Sequence, residues 1–395
     1  MSATGTNPLL RGLPLLEDLP DLDGASVLVR VDFNVPLRPC ADAPAIVTDD
    51  FRIRAALPTL EYLGARGARV TACTHLGRPK GAPDARWELG PVREELARLA
   101  PQVELLENLR FDPGETANDA GFVEKLVNSH DVYVNDAFGV SHRRHASVVG
   151  PPAYLPSAAG LLLQKEIESL GKLLGQPEQP FVAVVGGAKV ADKLGVLKAL
   201  LHHVDALVVG GGMAFTFLAA QGHEIGGSLV DLDRIDECAE LLASGTPIHL
   251  PTDIVALEPG AAFGCDCNAG EVRTVGADVP DGWQGLDIGP ETVAAYAEAI
   301  AGAGTVLWNG PMGVFEDQRF CAGTAGVAAA VAACPGYTVV GGGDSAAAVD
   351  ELGLADRISF ISTGGGASLE LLEFGDLPGL AALRDAPNAP GRTAR

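Results

Sequence analysis

Short apolar runs of four to six residues recur along the chain, and most are followed by a stretch with helical periodicity. This alternation indicates parallel sheets with helices on both faces. With 395 residues the chain is too long for one ordinary core, so we expect two domains. The runs predicted as strands are SVLVRV (26–31), ARVTAC (68–73), VELL (103–106), DVYV (131–134), FVAVV (181–185), DALVV (205–209), TVLW (305–308), YTVV (337–340) and RISFIS (357–362).

One of the intervening helices is long enough to join two domains. The amphipathic segment SAAGLLLQKEIESLGKLLGQPEQP (157–180) runs into a Gly- and Pro-containing stretch, and we interpret it as the connector. The tail DAPNAPGRTAR (385–395) is predicted to be loosely ordered. The predicted helices are 52–64, 88–99, 158–173, 189–200, 231–243, 290–302 and 321–333.

The charge and cysteine content exclude several classes of protein. A net charge of −23 argues against nucleic-acid binding. No apolar run reaches the roughly 20 residues that span a bilayer, and no signal peptide is evident, so we expect a cytoplasmic protein without membrane contact. Seven scattered cysteines do not form a disulfide framework, and the CxC pair Cys265 and Cys267 is interpreted as free thiols.

Four predicted strands in the second half end in glycines, in VVGGAK (184–189), VVGGGMAF (208–215), VVGGGDSA (339–346) and STGGGASL (362–369). Glycines there permit close approach of a ligand, and the following helix N-terminus favours phosphate. A Walker loop is absent. The GxGxxA match in GGGDSA leaves a dinucleotide-dependent dehydrogenase open as an alternative, although no acidic partner is found at a second strand end.

Two lysines follow the first glycine pair in AVVGGAKVADK (183–193), in a chain that has only seven lysines. If a helix begins near Ala188, Lys189 and Lys193 share one face of it. The adjacent Asp192 offers a structural pairing for them. Their place after Gly-Gly favours a phosphate ligand instead.

The first half supplies the complementary basic groups. Residues 1–198 hold 21 of the 28 Lys and Arg residues. Because they follow successive predicted strands, they are expected to converge at one sheet edge and form an anion pocket. Two such lobes suit phosphoryl transfer, which depends on positioning and charge neutralisation. The basic groups are Arg52, His75, Arg78, Arg110, His142, Arg143 and Arg144. Asp32 and Asn34, past the first of these strands, can bind hydroxyl or carboxylate groups, whereas loop hydrogen bonding is favoured for His145.

Over nearly its full length the chain resembles the phosphoglycerate kinase family. The resemblance implies two Rossmann-like α/β domains joined by the long helix: 1–172, with 374–395 returning to it, and 173–373. It also implies a monomer whose domains close over the ligands. The motifs that carry it, in the family's order, are RVDFNVP, THLGRP, LLENLRF, NDAFGVSHR, GGAKVADK, VVGGGMAFTFL, LWNGPMGVFE, GGGDSAAAV and STGGGASLE.

The resemblance further implies which residues bind and react. The first domain would bind 3-phosphoglycerate or 1,3-bisphosphoglycerate, and the second would bind Mg·ADP or Mg·ATP with Asp344 at the metal. Direct in-line transfer would involve Arg52, Lys189, Gly365 and Gly366. Phosphoglycerate contacts are Asp32, Asn34, Arg52, His75, Leu76, Gly77, Arg78, Arg110 and Arg143. Nucleotide contacts are Lys189, Lys193, Gly211, Gly212, Asn309, Glu316, Gly342, Gly343, Asp344 and Ser345.

A third interpretation is a non-catalytic nucleotide-binding regulator on the same fold. It would be expected if basic residues of the pocket were replaced, and none is. Turnover distinguishes it from an enzyme, and NAD binding would identify the dehydrogenase.

Overall fold

The computed structural model describes residues 7–38, 45–264 and 269–390, so the pair Cys265 and Cys267 lies outside the described residues. The chain forms two compact units. One comprises the chain up to Gly171 together with the segment from Phe374 onward, and the other is Lys172–Glu373. Of the helices described, none is both long and apolar enough to cross a bilayer.

The first unit is built on a parallel sheet. Its strands are β1 (Ser26–Arg30), β2 (Leu37–Arg38), β3 (Ile46–Val47), β4 (Arg69–Cys73), β5 (Glu104–Leu105), β6 (Val132–Asn135) and β7 (Ser157–Ala159). Its helices are α1 (Phe51–Gly64), α2 (Gly90–Leu99), α3 (Gly114–Ala117), α4 (Ala120–Val127), α5 (Ala146–Val149) and α6 (Leu161–Leu174). Among the described residues the sheet order is β5-β4-β1-β6-β7, with β2 and β3 as a separate antiparallel pair.

The central strands of this sheet are apolar on both faces because helices cover both faces. Val27 of β1 lies opposite Val70 of β4 on one side and Val132 of β6 on the other. All three valines are buried in one cluster. The parallel register brings the carboxyl ends of β1, β4, β5 and β6 to one edge.

The second unit contains a larger parallel sheet. Its strands are β8 (Phe181–Val185), β9 (Ala206–Val209), β10 (Ile248–His249), β11 (Asp253–Leu257), β12 (Val272–Gly276), β13 (Gln284–Ile288), β14 (Thr305–Asn309), β15 (Tyr337–Gly341) and β16 (Phe360–Ile361). Its helices are α7 (Leu194–Leu200), α8 (Ala214–Ala220), α9 (Ile235–Leu242), α10 (Pro290–Ala301), α11 (Ala322–Ala333), α12 (Gly343–Glu351) and α13 (Gly365–Phe374). In the described part of the chain the sheet order is β10-β9-β8-β14-β15-β16.

Each of the nine predicted strands overlaps an observed strand, and the predicted α/β class is confirmed. An antiparallel sheet in the order β12-β11-β13 was not predicted. Its middle strand is largely buried, whereas β12 is mostly exposed, so the segment lacks a sustained apolar run. This sheet depends on pairing between strands, which a local pattern does not report.

The connecting helix starts later than the predicted residue 158. Residues 157–159 form β7, and α6 begins at Leu161. The carboxylate of Asp136 accepts hydrogen bonds from the backbone N–H groups of Leu162 and Leu163, at 2.9 and 3.2 Å. The cap of α6 is therefore supplied by a residue just beyond β6, and sequence next to the helix does not reveal it.

The segment from Phe374 onward groups with the first unit and contains helix α14 (Pro378–Arg384). The prediction of a loosely ordered tail is wrong for residues 385–390. The side chain of Asn388 accepts a hydrogen bond from Ser157 N at 2.8 Å and donates one to Ser157 O at 3.0 Å. Ala386 and Ala389 are buried. A paired backbone and buried methyl groups hold this segment in place.

Replacing Asn388 should therefore weaken the first unit. We expect Asn388→Ala to lower the free energy of unfolding by roughly 1–3 kcal/mol, because two hydrogen bonds to partly buried backbone groups are lost. Urea unfolding followed by circular dichroism measures the change. Asn128→Ala, at the exposed end of α4, is the matched control, and an equal loss in both variants would contradict the role of the tail.

Candidate active site

The loop after β1 carries the first group of predicted pocket residues. The carboxylate of Asp32 accepts a hydrogen bond from Asn34 N at 3.2 Å. An N–H of the Arg52 guanidinium donates to Asp32 Oδ2 at 3.4 Å and to Asn34 O at 3.0 Å. Burial raises the pKa of Asp32, but the charges of Arg52, His75 and Arg30 outweigh it and hold that pKa below its usual value. Asp32 is therefore a carboxylate.

The loop after β4 packs against the first. Gly77 N donates to Asn34 Oδ1 at 2.8 Å, which joins the two loops. Gly77 has a φ of +60°, and a Cβ there would lie 2.1 Å from a ring carbon of Trp87. Leu76 is buried in the core, and its backbone N and O pair with the side chain of Asn108 at 3.3 and 2.8 Å. The position of Leu76 is consequently set by packing and by backbone bonds.

Arg110 is the buried cation of the pocket. Its guanidinium donates to Gly77 O at 2.7 Å, whereas its Nε is buried and has no hydrogen-bond partner in the described part of the chain. Burial, with the nearby charges of Arg143 and Arg30, lowers the pKa of Arg110 to about 10. A guanidinium crowded by like charges and with an unpaired N–H is suited to receive an anion.

The loop after β6 contributes exposed and half-buried basic groups. Arg143 is exposed, as is Arg78 in the loop after β4. Burial, followed by the charge of Arg143 for His142 and of Arg110 for His145, lowers the pKa of each histidine to about 4. Both histidines are therefore neutral at neutral pH.

Arg30 is the functional residue that sequence reasoning missed. It ends β1 and is fully buried. Its Nε donates to Ser147 Oγ at 2.8 Å, and a second guanidinium nitrogen lies 3.3 Å from His75 Nδ1. An arginine inside the apolar run SVLVRV was the available signal, since a charge in a central strand needs a partner.

The second unit presents the four glycine-rich strand ends at one sheet edge. Gly211 has a φ of +69°, and a Cβ there would lie 2.6 Å from Gly187 O. A Cβ on Gly365 would lie 2.4 Å from the Cα of Gly342. Backbone therefore packs on backbone at this edge, and side chains are excluded.

The prediction that Lys189 and Lys193 share a helix face is wrong. The helix predicted from residue 189 begins at Leu194. Lys189 is exposed, whereas the ammonium of Lys193 turns back and donates to Gly186 O at 2.7 Å and to Asn309 O and Oδ1 at 3.1 and 2.8 Å. Hydrogen bonds from this lysine to the neighbouring strand ends stabilise a non-helical loop.

Burial lowers the pKa of Lys193 to about 8, and the carboxylates of Asp344 and Asp192 only partly oppose it. An ammonium has three N–H donors, and the three oxygens around Lys193 engage all of them. A phosphate bound by Lys193 must therefore replace one of these acceptors.

The turn after β15 completes this edge. Ser345 is buried, and its Oγ accepts a hydrogen bond from Gly310 N at 2.6 Å. Asn309 Nδ2 is a buried donor without a partner. Asp344 is exposed in the first turn of α12, and Glu316 is also exposed. Within residues 7–38, 45–264 and 269–390 no cluster of three metal-ligating side chains occurs, so a metal here would need ligand oxygens from a bound molecule.

Known proteins share both sequence and fold with this chain. The family model described as phosphoglycerate kinase matches residues 16–105 and 100–374. The phosphoglycerate kinase of Moorella thermoacetica is 53% identical over 94% of this chain and 98% of its own length. That of Salinispora arenicola is 51% identical over 94% and 99%.

Solved structures agree. The phosphoglycerate kinase of Coxiella burnetii aligns with a TM-score of 0.81 at 37% identity, covering 94% of this chain and 98% of its own. That of Pyrococcus horikoshii OT3 aligns with a TM-score of 0.81 at 31% identity, covering 94% and 99%. Neither a dehydrogenase nor a non-catalytic regulator is needed to explain the site. The chain belongs to the phosphoglycerate kinase family, and it is a kinase that transfers the acyl phosphate of 1,3-bisphosphoglycerate to ADP, reversibly.

Proposed function

We propose that the two sheet edges divide the substrates of this reaction. The basic edge of the first unit binds 3-phosphoglycerate or 1,3-bisphosphoglycerate, and the glycine edge of the second binds Mg·ADP or Mg·ATP. The observation that carries the proposal is the surplus of positive charge around Arg110, whose buried Nε has no partner among the described residues. An anion supplies both the missing acceptor and the missing charge.

Each group of the first edge has a role that fits its chemistry. The guanidinium groups bind phosphate and carboxylate oxygens in bidentate fashion. Asp32 and Asn34 offer oxygens or an amide to the substrate hydroxyl, while His75 and the backbone of Leu76 and Gly77 line the pocket. The guanidinium groups are Arg52, Arg78, Arg110 and Arg143.

The second edge binds nucleotide mainly through backbone. Gly211 and Gly212 admit the flat base, Asn309 and Ser345 lie at the phosphate side, and Glu316 binds the ribose. The backbone N–H groups of Gly342 and Gly343 open α12 and favour phosphate. Lys193 binds phosphate by exchanging one of its present acceptors.

Asp344 fits a magnesium ion that arrives with the nucleotide. Mg²⁺ is commonly held by one or two carboxylates together with substrate phosphates, and Asp344 is an exposed carboxylate at the first turn of α12. When bound, the ion neutralises charge on the phosphate oxygens. Removing it with a chelator should abolish turnover.

The reaction needs no protein nucleophile. The bond between phosphorus and the carboxylate oxygen of 1,3-bisphosphoglycerate breaks while a β-phosphate oxygen of ADP bonds to the same phosphorus. Lys189 and Arg52 neutralise the charge on the moving phosphoryl group. The N–H groups of Gly365 and Gly366, at the start of the ten-residue helix α13, face it.

The experiment that tests the function is ADP phosphorylation from 1,3-bisphosphoglycerate in a coupled assay. We expect magnesium-dependent turnover by the wild type. Lys189→Ala should lose roughly 100-fold in kcat with a smaller change in KM, because the lysine acts on transition-state charge. Lys198→Ala, whose exposed ammonium pairs with Glu237 at 2.9 Å, is the control. Wild-type turnover without magnesium, or normal kcat in Lys189→Ala, would contradict the assigned roles.

Arg52 is tested separately on the first unit. We expect Arg52→Ala to lower kcat by roughly 100-fold, more than it raises KM for phosphoglycerate. Arg54→Ala is the control, because it removes another guanidinium of the same helix. The Arg54 guanidinium pairs with Asp50 at 2.8 Å, so its loss should leave kcat and KM near wild type. A normal kcat in Arg52→Ala counts against a role at the moving phosphoryl group.

Lys193 should give the nucleotide side a pH dependence. With a pKa of about 8 the ammonium is present below that pH and lost above it, so kcat/KM for ATP should fall as pH rises through about 8. Steady-state kinetics from pH 6.5 to 9.5 measure this limb. It should persist in Lys189→Ala and vanish in Lys193→Met. The same limb in Lys193→Met would assign it to another group.

Domain closure over the ligands and a monomeric state stay predictions from the resemblance, whereas a cytoplasmic location and the absence of nucleic-acid partners stay predictions from the composition and charge of the sequence. Sedimentation velocity with and without both substrates tests the first two.

A further inference from the structure

The side chain of His75 is held by an unusual neighbour. A terminal nitrogen of the buried Arg30 guanidinium lies 3.3 Å from His75 Nδ1. A guanidinium has only donors, so in this contact Nδ1 accepts and carries no proton. The proton of the neutral ring is then on Nε2. That atom has no hydrogen bond to another described residue and is not among the buried unpaired atoms there, so solvent reaches it.

Further hydrogen bonds hold the Arg30 guanidinium in place. Its Nε donates to Ser147 Oγ at 2.8 Å, and another guanidinium nitrogen donates to Val31 O. Ser147 Oγ donates its own hydrogen to Glu115 Oε1 at 2.7 Å, and Ser147 N donates to Glu115 Oε2 at 2.9 Å. Glu115, Ser147 and Arg30 are all fully buried. Arg30 therefore donates on both sides, to His75 Nδ1 and to Ser147 Oγ, and Ser147 in turn donates to the Glu115 carboxylate.

We propose that Glu115 and Ser147 are positioning residues that hold Arg30 against His75, so that His75 stays the neutral Nε2–H tautomer and donates to an anionic oxygen of phosphoglycerate. The proposal deepens the assignment of the first edge and rests on it. Among the described residues, neither Glu115 nor Ser147 is hydrogen-bonded to a residue assigned to phosphoglycerate, although Glu115 Oε1 lies 3.7 Å from His145 Nδ1. Their effect reaches the substrate through Arg30 and His75.

Asp32 competes with Arg30 for His75 Nδ1. The hydrogen-bonded series of Glu115, Ser147 and Arg30, called the relay below, is therefore needed to hold Arg30 at that atom. Its Oδ1 lies 3.9 Å from His75 Nδ1, close enough to draw a proton to Nδ1 if Arg30 moves away. The other groups that face His75 are Arg30, Arg110 and His145. Burial lowers the pKa of His75 well below 6.5; Asp32 raises it, and Arg30, Arg110 and His145 lower it further. His75 is thus neutral at neutral pH and becomes charged only in acid.

Loss of the relay should change whether His75 Nε2 presents a hydrogen-bond donor or a lone pair to the substrate. With Nδ1–H directed at Asp32, the neutral ring would turn a lone pair on Nε2 toward the substrate anion, which is repulsive. Protonation would restore the Nε2–H donor. The defect should therefore be largest where the ring is neutral and smaller in acid.

The tautomer can be measured directly in the wild-type protein without ligand. Histidine labelled with ¹⁵N gives distinct signals for protonated and unprotonated ring nitrogens, and the chain has eight histidines. His75→Gln identifies the signals of interest. We expect Nδ1 unprotonated and Nε2 protonated at neutral pH. A proton on Nδ1 would overturn the proposal, whatever the variants do.

The relay is tested by Ser147→Ala, with Ser147→Thr to restore the hydroxyl. The matched control is Ser141→Ala. Ser141, which lies between β6 and α5, is also fully buried, but its hydroxyl donates to Ala137 O. Calorimetry should show roughly tenfold weaker binding of 3-phosphoglycerate to Ser147→Ala, the loss of one hydrogen bond to a charged group. ATP affinity should be unchanged, and the ¹⁵N signals of His75 should shift toward the Nδ1–H tautomer.

The pH dependence separates positioning from general damage. The deficit of Ser147→Ala relative to wild type should shrink only in acid, well below pH 6.5, where the ring becomes charged. A deficit independent of pH, an equal deficit in Ser141→Ala, or no recovery in Ser147→Thr would overturn the relay. If the folded wild type binds no 3-phosphoglycerate, the substrate assignment fails, while the ligand-free ¹⁵N spectrum still decides the tautomer.

Discussion

The buried charge of Arg30 is the constraint on which the first unit's site depends. A guanidinium removed from water is costly unless it is hydrogen-bonded and its charge is compensated. Arg30 meets the first of these needs through three elements at once: Ser147 of α5, His75 after β4 and the chain just beyond β1. These acceptors are uncharged, and an opposing charge comes from Asp32, whose pKa Arg30 helps to lower. Because the same hydrogen bonds hold Arg30 and place the pocket loops, the stability of this unit and the geometry of its anion site are coupled.

Much of this site was accessible to sequence reasoning. In a parallel sheet the carboxyl ends of all strands meet at one edge, so residues just past each strand could be grouped before any contact was known. Asp32, His75 and Arg110 follow β1, β4 and β5 in this way. The local sequence pattern did not identify Glu115 and Ser147, the buried residues that hold Arg30. Neither residue has a strand end or a glycine turn beside it that would single it out.

The wrong predictions have a common physical cause. Helix α7 begins at Leu194 because Lys193 bonds to the end of β14, more than a hundred residues away. The tail up to residue 390 is ordered by the backbone of Ser157. Local propensity predicts a helix in the first case and a loose end in the second. Tertiary hydrogen bonds override it in both, since an unpaired buried polar group costs more than a propensity difference.

Under the proposed division of substrates, the two edges solve the same electrostatic problem with different groups, and the charge carried by each ligand explains why. In that assignment phosphoglycerate arrives as a bare anion, so its edge needs guanidinium groups such as Arg110, including one that is underpaired until the ligand binds. A nucleotide arrives with a divalent cation that already neutralises much of its phosphate charge. The second edge therefore needs only backbone N–H groups, helix N-termini and the lysines near residue 190. The remainder of that half, residues 199–395, can then be acidic and free of lysine without weakening nucleotide binding.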